Sequence, residues 1–324
     1  MSTPFSSFSL GVNYPWQNYA EDFGCANGVH RGVSLPANHE NLLRDFASIR
    51  ETGATVVRWF LFGDGRGGFH CENGIPRQPD EFLFKDVSAA LEIAEQTQLQ
   101  ICFALIDYLW LQEHNGKRAA HAHEHVLHFA AGREAFLEHV LIPLFRKFRG
   151  DPAIFAWEIA NEPEWAIREF HPAAEAKLHI AEIRAYAAEV AQAIHEFAAA
   201  PATIGSARLI WLKAWTEIGL DFYDAHYYPS CEKESKLNLR QQLAALPPLD
   251  KPLCLGELPA QEPSNPEYSL MDTLTICRDA GLAGAAVWRW TKPDAAGTDA
   301  QIGCIDPTLL RAWTAPTLKA GLDA

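Results

Sequence analysis

The chain is poor in features that mark several protein classes. Cysteine is scarce, at seven residues in 324, and the count is odd. No Cys-x-x-Cys occurs, and Cys102, Cys254 and Cys277 stand in apolar segments. This usage argues against a disulfide framework and reads as reduced, buried thiols. No apolar run is long enough to span a bilayer, and the opening MSTPFSSFSLGVNYPW has neither a basic stretch nor a long apolar one. No signal peptide is read there, so a cytoplasmic protein without a membrane partner is expected. Positive charge is in deficit: 27 Lys and Arg against 41 Asp and Glu give a formal net charge of −14. An acidic surface does not suit nucleic acid, which is not expected as a partner. Phosphate-binding loops are absent too. GDGRGG (63–68) has glycines in the wrong frame and no Lys-Ser/Thr behind it. No cofactor is expected, and no repeat or low-complexity linker divides the chain.

What is present suffices for a large core, since 48% of the residues are hydrophobic. Eight short apolar runs read as strands: FSLGVN (8–13), TVVRWFLF (55–62), QICFALIDY (100–108), AIFAWEIAN (153–161), PATIGS (201–206), DFYDAHYY (221–228), PLCLGEL (252–258) and GAAVWRW (284–290). Most are continuous rather than alternating, the pattern of strands covered on both faces. Helical stripes separate them. Leu42, Leu43, Phe46 and Ile49 form one, with Gly53 at the C-cap position; Val87, Leu91 and Ala94 form another. A long helix is expected over 173–198, a third stripe runs Leu270, Leu274, Cys277 to Gly281, and a last helix covers 306–320. The short gap between strands five and six admits only one short helix near 209–218.

This alternation predicts an α/β fold, a (β/α)8 TIM barrel, as one catalytic domain over residues 1–324. Long loops at 14–38, 63–80 and 108–130 follow strands one to three. In a parallel barrel they gather at the C-terminal face, where binding residues belong.

Two strand ends carry carboxylates. The fourth run stops in Asn161-Glu162-Pro163, and Pro163 has no N–H to continue a ladder. The seventh ends in Glu257 with Pro259 close behind. In a barrel these ends face each other across the mouth. Paired carboxylates suit glycoside cleavage, in which one group protonates the departing oxygen and the other supports the anomeric carbon. Mutual repulsion helps keep one protonated and one ionised.

These residues resemble those of glycoside hydrolase clan A, the 4/7 barrel superfamily, and its cellulase- and mannanase-like family five. WEIANEPEW is similar to the clan's Asn-Glu-Pro acid/base motif, and LGELP to the family's nucleophile strand. AHYYP resembles its His-x-Tyr after strand six, VVRW its strand-two arginine, and VWRW its strand-eight tryptophan. The resemblance implies a retaining double displacement on β-linked oligosaccharides of β-mannoside or β-glucoside type. Glu162 would be the general acid/base and Glu257 the nucleophile, with carboxyl groups about 5–5.5 Å apart.

Supporting roles follow. Asn161 is expected to bond the sugar 2-hydroxyl, or else to cap a turn. Arg58, on strand two, needs a carboxylate partner; Glu257 is expected, with a purely structural ion pair as the alternative and Glu158 as its deeper partner. His226 and Tyr228 share a face by period two, so the Tyr hydroxyl is expected on the nucleophile and the His beside the sugar, or the two simply pack. Trp288 is expected as a floor under the sugar ring, although it and Trp290 would equally serve the core. Asn13, Tyr14 and Trp16 after strand one, and Asp107 and Trp110 after strand three, are placed as further sugar contacts. Trp165 is read either as part of a leaving-group subsite or as packing. The long loops are expected to block one end of the cleft and favour exo action.

Two other readings remain at this level. HAHEHVLH offers His121, His123, His125 and His128 to a metal-dependent barrel hydrolase, but it follows no apolar strand and no Cys or Asp completes a ligand set nearby. A non-catalytic sugar-binding barrel would be expected to lose one carboxylate, and both are present.

Overall fold

The computed structural model describes residues 5–26, 28–111, 127, 129–171, 178–232, 237–262, 265–290 and 304–320, the last five by backbone alone. Eight parallel strands close into a barrel: β1 (Ser9–Asn13), β2 (Val56–Phe60), β3 (Gln100–Ala104), β4 (Ile154–Asn161), β5 (Ala202–Ser206), β6 (Tyr223–His226), β7 (Leu253–Pro259) and β8 (Gly284–Trp288). Each pairs with its chain neighbours, and β1 closes the ring against β8. Seven lie inside the apolar runs, most trimmed at their ends, and β7 extends one residue past its run, to Pro259, which pairs with Trp288. Around them pack α1 (Pro36–Glu51), α2 (Leu83–Thr97), α3 (Ala130–Phe136), α4 (Ile142–Lys147), α5 (Ile180–Ala193), α6 (Leu239–Ala245), α7 (Leu270–Asp279) and α8 (Pro307–Ala320). The fold is the expected (β/α)8 barrel.

Strand parity separates two interiors. Trp59, Phe103, Trp157 and Tyr223 point outward beneath the helices, where Phe103 stacks on Trp157 at 5.2 Å and Phe145 meets the same indole at 5.2 Å. Their neighbours Arg58, Cys102, Glu158 and Asp224 point into the barrel. The bottom of the barrel is plugged by Val56, Cys102, Phe155, Phe222 and Cys254, with Phe5 laid across. Polar groups thus concentrate at the C-terminal half. Stability comes from the outer layer, where each fully buried Leu, Ile or Phe contributes roughly 1.5–3 kcal/mol.

Three local expectations need correction. The helix over 173–198 begins at Ile180: Leu178 bridges Ile167 in extended conformation, and the Glu182 carboxylate reaches back to the His179 N–H, capping the helix there. Its last turn, Ile194–Ala198, is a π-helix. The short helix near 209–218 is a 3-10 helix, Leu209–Trp215. A 3-10 helix advances about 2.0 Å per residue against 1.5 Å for an α-helix, so it spans the gap with fewer residues. The segment 63–80 is not irregular: Phe69–Glu72 pairs antiparallel with Ile75–Pro79. The turn is Asn73-Gly74, both at positive φ, a hairpin signal that the sequence carried unread.

The loop after β1 is pinned by buried acids. Asp22 accepts Gln17 N at 2.6 Å, Asn18 N at 2.7 Å and Trp59 Nε1 at 2.9 Å. Asp86 accepts Gly24 N and Ser34 N and meets His30, whose ring stacks on Phe82. Burial pushes the Asp22 carboxyl up to about 7, against the pull of its three donors. A raised carboxyl stabilises the fold fully below its ordinary value of 3.8, and that contribution is lost as pH rises through about 7. Asp22→Asn should therefore lower Tm at acidic pH yet flatten its decline between pH about 4 and about 7. Calorimetry across that range checks this; an unchanged slope counts against it.

Candidate active site

Strand register assembles the site. Asn13 on β1 pairs with Arg58 on β2, Asn161 on β4 with Gly205 on β5, and His226 on β6 with Glu257 on β7. Arg58 is the hub. Its Nε and Nη2 reach the two Glu158 oxygens at 2.5 and 2.6 Å. Its Nη1 donates to Glu257 Oε1 at 2.7 Å and to Asn13 Oδ1 at 2.9 Å, and Nη2 also donates to Asn161 Oδ1 at 2.7 Å. Burial opposes the guanidinium charge, but Glu158 and Glu257 outweigh it and hold the cation. Glu158, four residues below Glu162, is fully buried with both oxygens on Arg58, the deeper partner expected of it.

Glu162 sits in the left-handed region at φ 47°, ψ 45°, and Pro163 opens a single 3-10 turn, Pro163–Ala166, behind it. A residue before proline ordinarily prefers extended backbone, and the left-handed region costs a non-glycine residue about 1–2 kcal/mol. Local contacts hold it there. Glu162 N donates to Gly205 O at 2.7 Å, and Trp165 Nε1 donates to Glu162 Oε2 at 2.8 Å. His226 Nδ1 lies 2.7 Å from Glu162 Oε1 and 3.6 Å from Glu257 Oε2. Tyr228 donates its hydroxyl to Glu257 Oε2 at 2.7 Å.

One oxygen from each glutamate and one His226 nitrogen all fall within 4.8 Å of one another. That is close to the spacing of retaining carboxylates and well short of the roughly 6.5–9.5 Å that leaves room for an inverting water. Among the described residues this is the one trio of His, Cys, Asp or Glu donors near enough to share a metal ion. The donors are engaged with one another and with Arg58, Tyr228 and Trp165.

Burial pushes the His226 ring down to about 4. It is therefore neutral near pH 7, with the proton assigned to Nδ1, where the carboxylates wait. Nε2 is then a lone pair, buried without a partner among the described residues. Burial raises the Glu257 carboxyl above its ordinary range, and the Glu162 charge adds to this; His226, Arg58 and Tyr228 pull it back without cancelling the rise. Arg58 contacts Glu257 as expected, but it does not overcome the desolvation of a group that is 4% exposed.

Other expected residues fall on both sides of the line. Trp288 joins Phe60, Ala104, Trp16 and Tyr228 in an aromatic cluster at the mouth, with Trp16 edge-on to Trp288 at 6.3 Å. Trp290 packs on the outer core instead. Asn161 uses both ends of its amide, accepting from Arg58 and donating to Asp107 Oδ1 at 2.8 Å. Asp107 stands half-buried beside it; burial takes its carboxyl up to about 7 despite that bond, and Glu162's charge adds to the rise. Trp165 is half-buried at the Glu162 carboxylate.

Three placements are corrected. Asn13 is no loop contact: it is fully buried inside the barrel and ties Arg58 to the β7 backbone through Gly256 O at 2.8 Å. Tyr14 is core, its hydroxyl on Asp45. Trp110, 1% exposed, packs among Phe62, Phe69 and Phe136 behind the hairpin. All three are polar or aromatic residues near strand ends, and neighbouring positions on a strand face opposite ways. The histidines at 121, 123, 125 and 128 lie outside the described residues.

Sequence reading missed several supports. Gly205 is one: a Cβ there would stand 2.6 Å from Glu158 Oε1 and 3.1 Å from His226 Nε2. Gly256 is another, where a Cβ would collide with the Asp224 carboxylate. Asp224 is itself buried under the hub, its carboxyl driven well above the usual range by burial and then by Glu158. A glycine inside a strand signals such close approach, and both were available to that reading.

No family model matches the chain. Over 165 residues it is 30% identical to a mannan endo-1,4-β-mannosidase of Mytilus edulis; the matched segment is 50% of this chain and 41% of that protein, so it spans about two fifths of the relative's length. The fold is that of the β-1,4-D-mannanase of Cryptopygus antarcticus (TM-score 0.74, 19% identity, 94% of this chain and 90% of that one). It is equally that of the Mytilus edulis β-mannanase (TM-score 0.73, 20% identity, 96% and 92%). Among the described residues no helix is long and apolar enough to cross a membrane. In fold along nearly its whole length, and in sequence along half of it, the chain is similar to β-mannanases, and so to the mannanase-like family-five barrels of clan A that its motifs resemble.

Proposed function

We propose that the protein is a retaining glycoside hydrolase that cleaves β-1,4-linked mannosyl chains. The observation that carries the reading is the pair of glutamates whose oxygens lie within 4.8 Å, only one of which, Glu257, is held by Arg58 and Tyr228. Mannose is favoured over glucose by the half-chain likeness to the Mytilus mannan-cleaving enzyme.

In the first step a Glu257 oxygen attacks the anomeric carbon while the bond to the departing oxygen breaks. Glu162 gives that oxygen its proton. The Glu257 ester carries no charge, so repulsion on Glu162 is relieved. Glu162 then takes a proton from water, whose oxygen displaces Glu257 and restores the starting configuration. His226 stands between the two carboxyls, its Nδ1 2.7 Å from Glu162 Oε1 and 3.6 Å from Glu257 Oε2. Asn161 has a second amide N–H to offer the sugar 2-hydroxyl, and Trp288 and Trp16 flank the ring.

A 2-fluoro-mannoside with a good leaving group should trap the intermediate, and peptide mapping should place the label on Glu257. Label on another residue reassigns the nucleophile. The products released from mannohexaose by the same preparation measure which end of the chain is cut.

A further inference from the structure

Glu164 follows the general acid by two residues and is fully buried. Its Oε1 accepts Ser206 Oγ at 2.5 Å and Trp215 Nε1 at 2.6 Å; its Oε2 accepts Ala207 N at 3.1 Å. All three donors belong to β5 or the segment just after it. Ser206 closes β5, and Trp215, wholly buried, ends the 3-10 helix beyond. A carboxylate in so dry a place is costly, and burial takes it up to about 7 against its donors. A hydrophobic side chain would fill the same space without that cost. The geometry asks what the acid is for.

The turn it anchors has four residues, Pro163–Ala166. At one end Glu162 is held in the left-handed region, against the preference of a residue before proline. From the middle of the turn Trp165 donates to the Glu162 carboxylate. Glu164 lies between them in sequence and ties the turn to the neighbouring strand. We infer that Glu164 is a positioning residue: it clamps the Pro163–Ala166 turn to β5 and so keeps the Glu162 carboxyl aimed between His226 and Trp165. This rests on the reading of Glu162 as general acid. Glu164 itself touches no substrate.

Glu164→Gln keeps the shape but replaces one acceptor oxygen by an N–H2 that faces donors. The relevant measure is kcat/KM, which in a double displacement reports the first step, on two mannosides. One has a dinitrophenyl leaving group that needs no proton; the other is a mannooligosaccharide that does. A misaimed acid should cost the oligosaccharide about 100-fold and the activated substrate no more than about threefold. The double variant Glu162→Gln/Glu164→Gln should then be no slower on the oligosaccharide than Glu162→Gln alone. Ser206→Ala, which removes one donor with little loss of bulk, should show the same imbalance in milder form if Glu164→Gln folds poorly. Equal losses on both substrates, or losses that multiply in the double variant, would mean a merely structural carboxylate and overturn the inference. If Glu162→Gln itself treats the two substrates alike, the general-acid reading falls and the positioning role falls with it.

Discussion

Glu257→Ala is expected to reduce kcat on mannooligosaccharides by about 10⁴–10⁶-fold, the scale on which removal of a covalent nucleophile acts. The fold should survive, because Arg58 keeps its bidentate bond to Glu158 and its bonds to Asn13 and Asn161. The variant also opens a sharper measurement. Azide is small enough to occupy the space the carboxylate leaves and can attack the anomeric carbon from the same side. With a dinitrophenyl β-mannoside the product from Glu257→Ala should be the α-mannosyl azide, of inverted configuration. In Glu162→Ala the ester on Glu257 still forms, and azide displaces it from the other face to give the β-mannosyl azide. The one-bond carbon–proton coupling at the anomeric centre, which is larger for an α- than for a β-mannosyl product, reads the roles of the two glutamates independently. A β-azide from the Glu257 variant would exchange them.

The second large effect concerns stability. Arg58→Met should lower the unfolding free energy by about 3–5 kcal/mol, the cost of leaving a buried charge without its partner. The reason is Glu158, fully buried with both oxygens on that guanidinium. Asn13 and Asn161 each lose a donor as well. For a protein of this size the loss corresponds to a fall in Tm on the order of 10 °C. Arg58→Lys should recover only part, since an ammonium cannot span five acceptor oxygens in a planar fork. Adding Glu158→Met to Arg58→Met should return some of the loss, and the double-mutant cycle gives the coupling. The penalty should also shrink as pH falls, because a buried carboxyl without its cation takes up a proton. Urea unfolding at two pH values tests all of this. A single-variant loss under about 1 kcal/mol would show that Arg58 is not the hub of the polar interior.

The barrel was legible because its strands are buried on both faces. Such strands must be apolar throughout, and eight continuous runs separated by helical stripes leave few other architectures. Glu162 and Glu257 were legible for a related reason. A carboxylate near the end of an apolar strand, with proline close behind it, marks the approach to the mouth: β4 stops at Asn161, just before Glu162 and Pro163, whereas β7 carries its pairing two residues past Glu257, to Pro259 against Trp288. The Asn-Glu-Pro and Leu-Gly-Glu-Leu-Pro motifs are short and contiguous, so no knowledge of distant contacts was needed. Tyr228 and His226 could be paired by period two once that strand end was known.

The residues that were misplaced or missed depend on something a linear pattern does not hold. Asn13 and Arg58 meet because β1 and β2 are in register. Asn13 reaches Gly256 across 243 positions of chain because the barrel closes. Trp110 looks like a loop aromatic until the hairpin at 69–79 folds over it. Glu164 reads as one more surface acid until Ser206 and Trp215 arrive around it. The amino-acid sequence determined by itself the fold class, the positions of the strands and the two glutamates that crown β4 and β7, since these follow from local apolar patterning and chain-breaking residues. Which side of each strand faces the mouth, which acid each cation serves, and which buried carboxyl steadies the turn beneath Glu162 were decided only by ring closure, because hydrogen bonds and desolvation act between side chains that the chain itself keeps far apart.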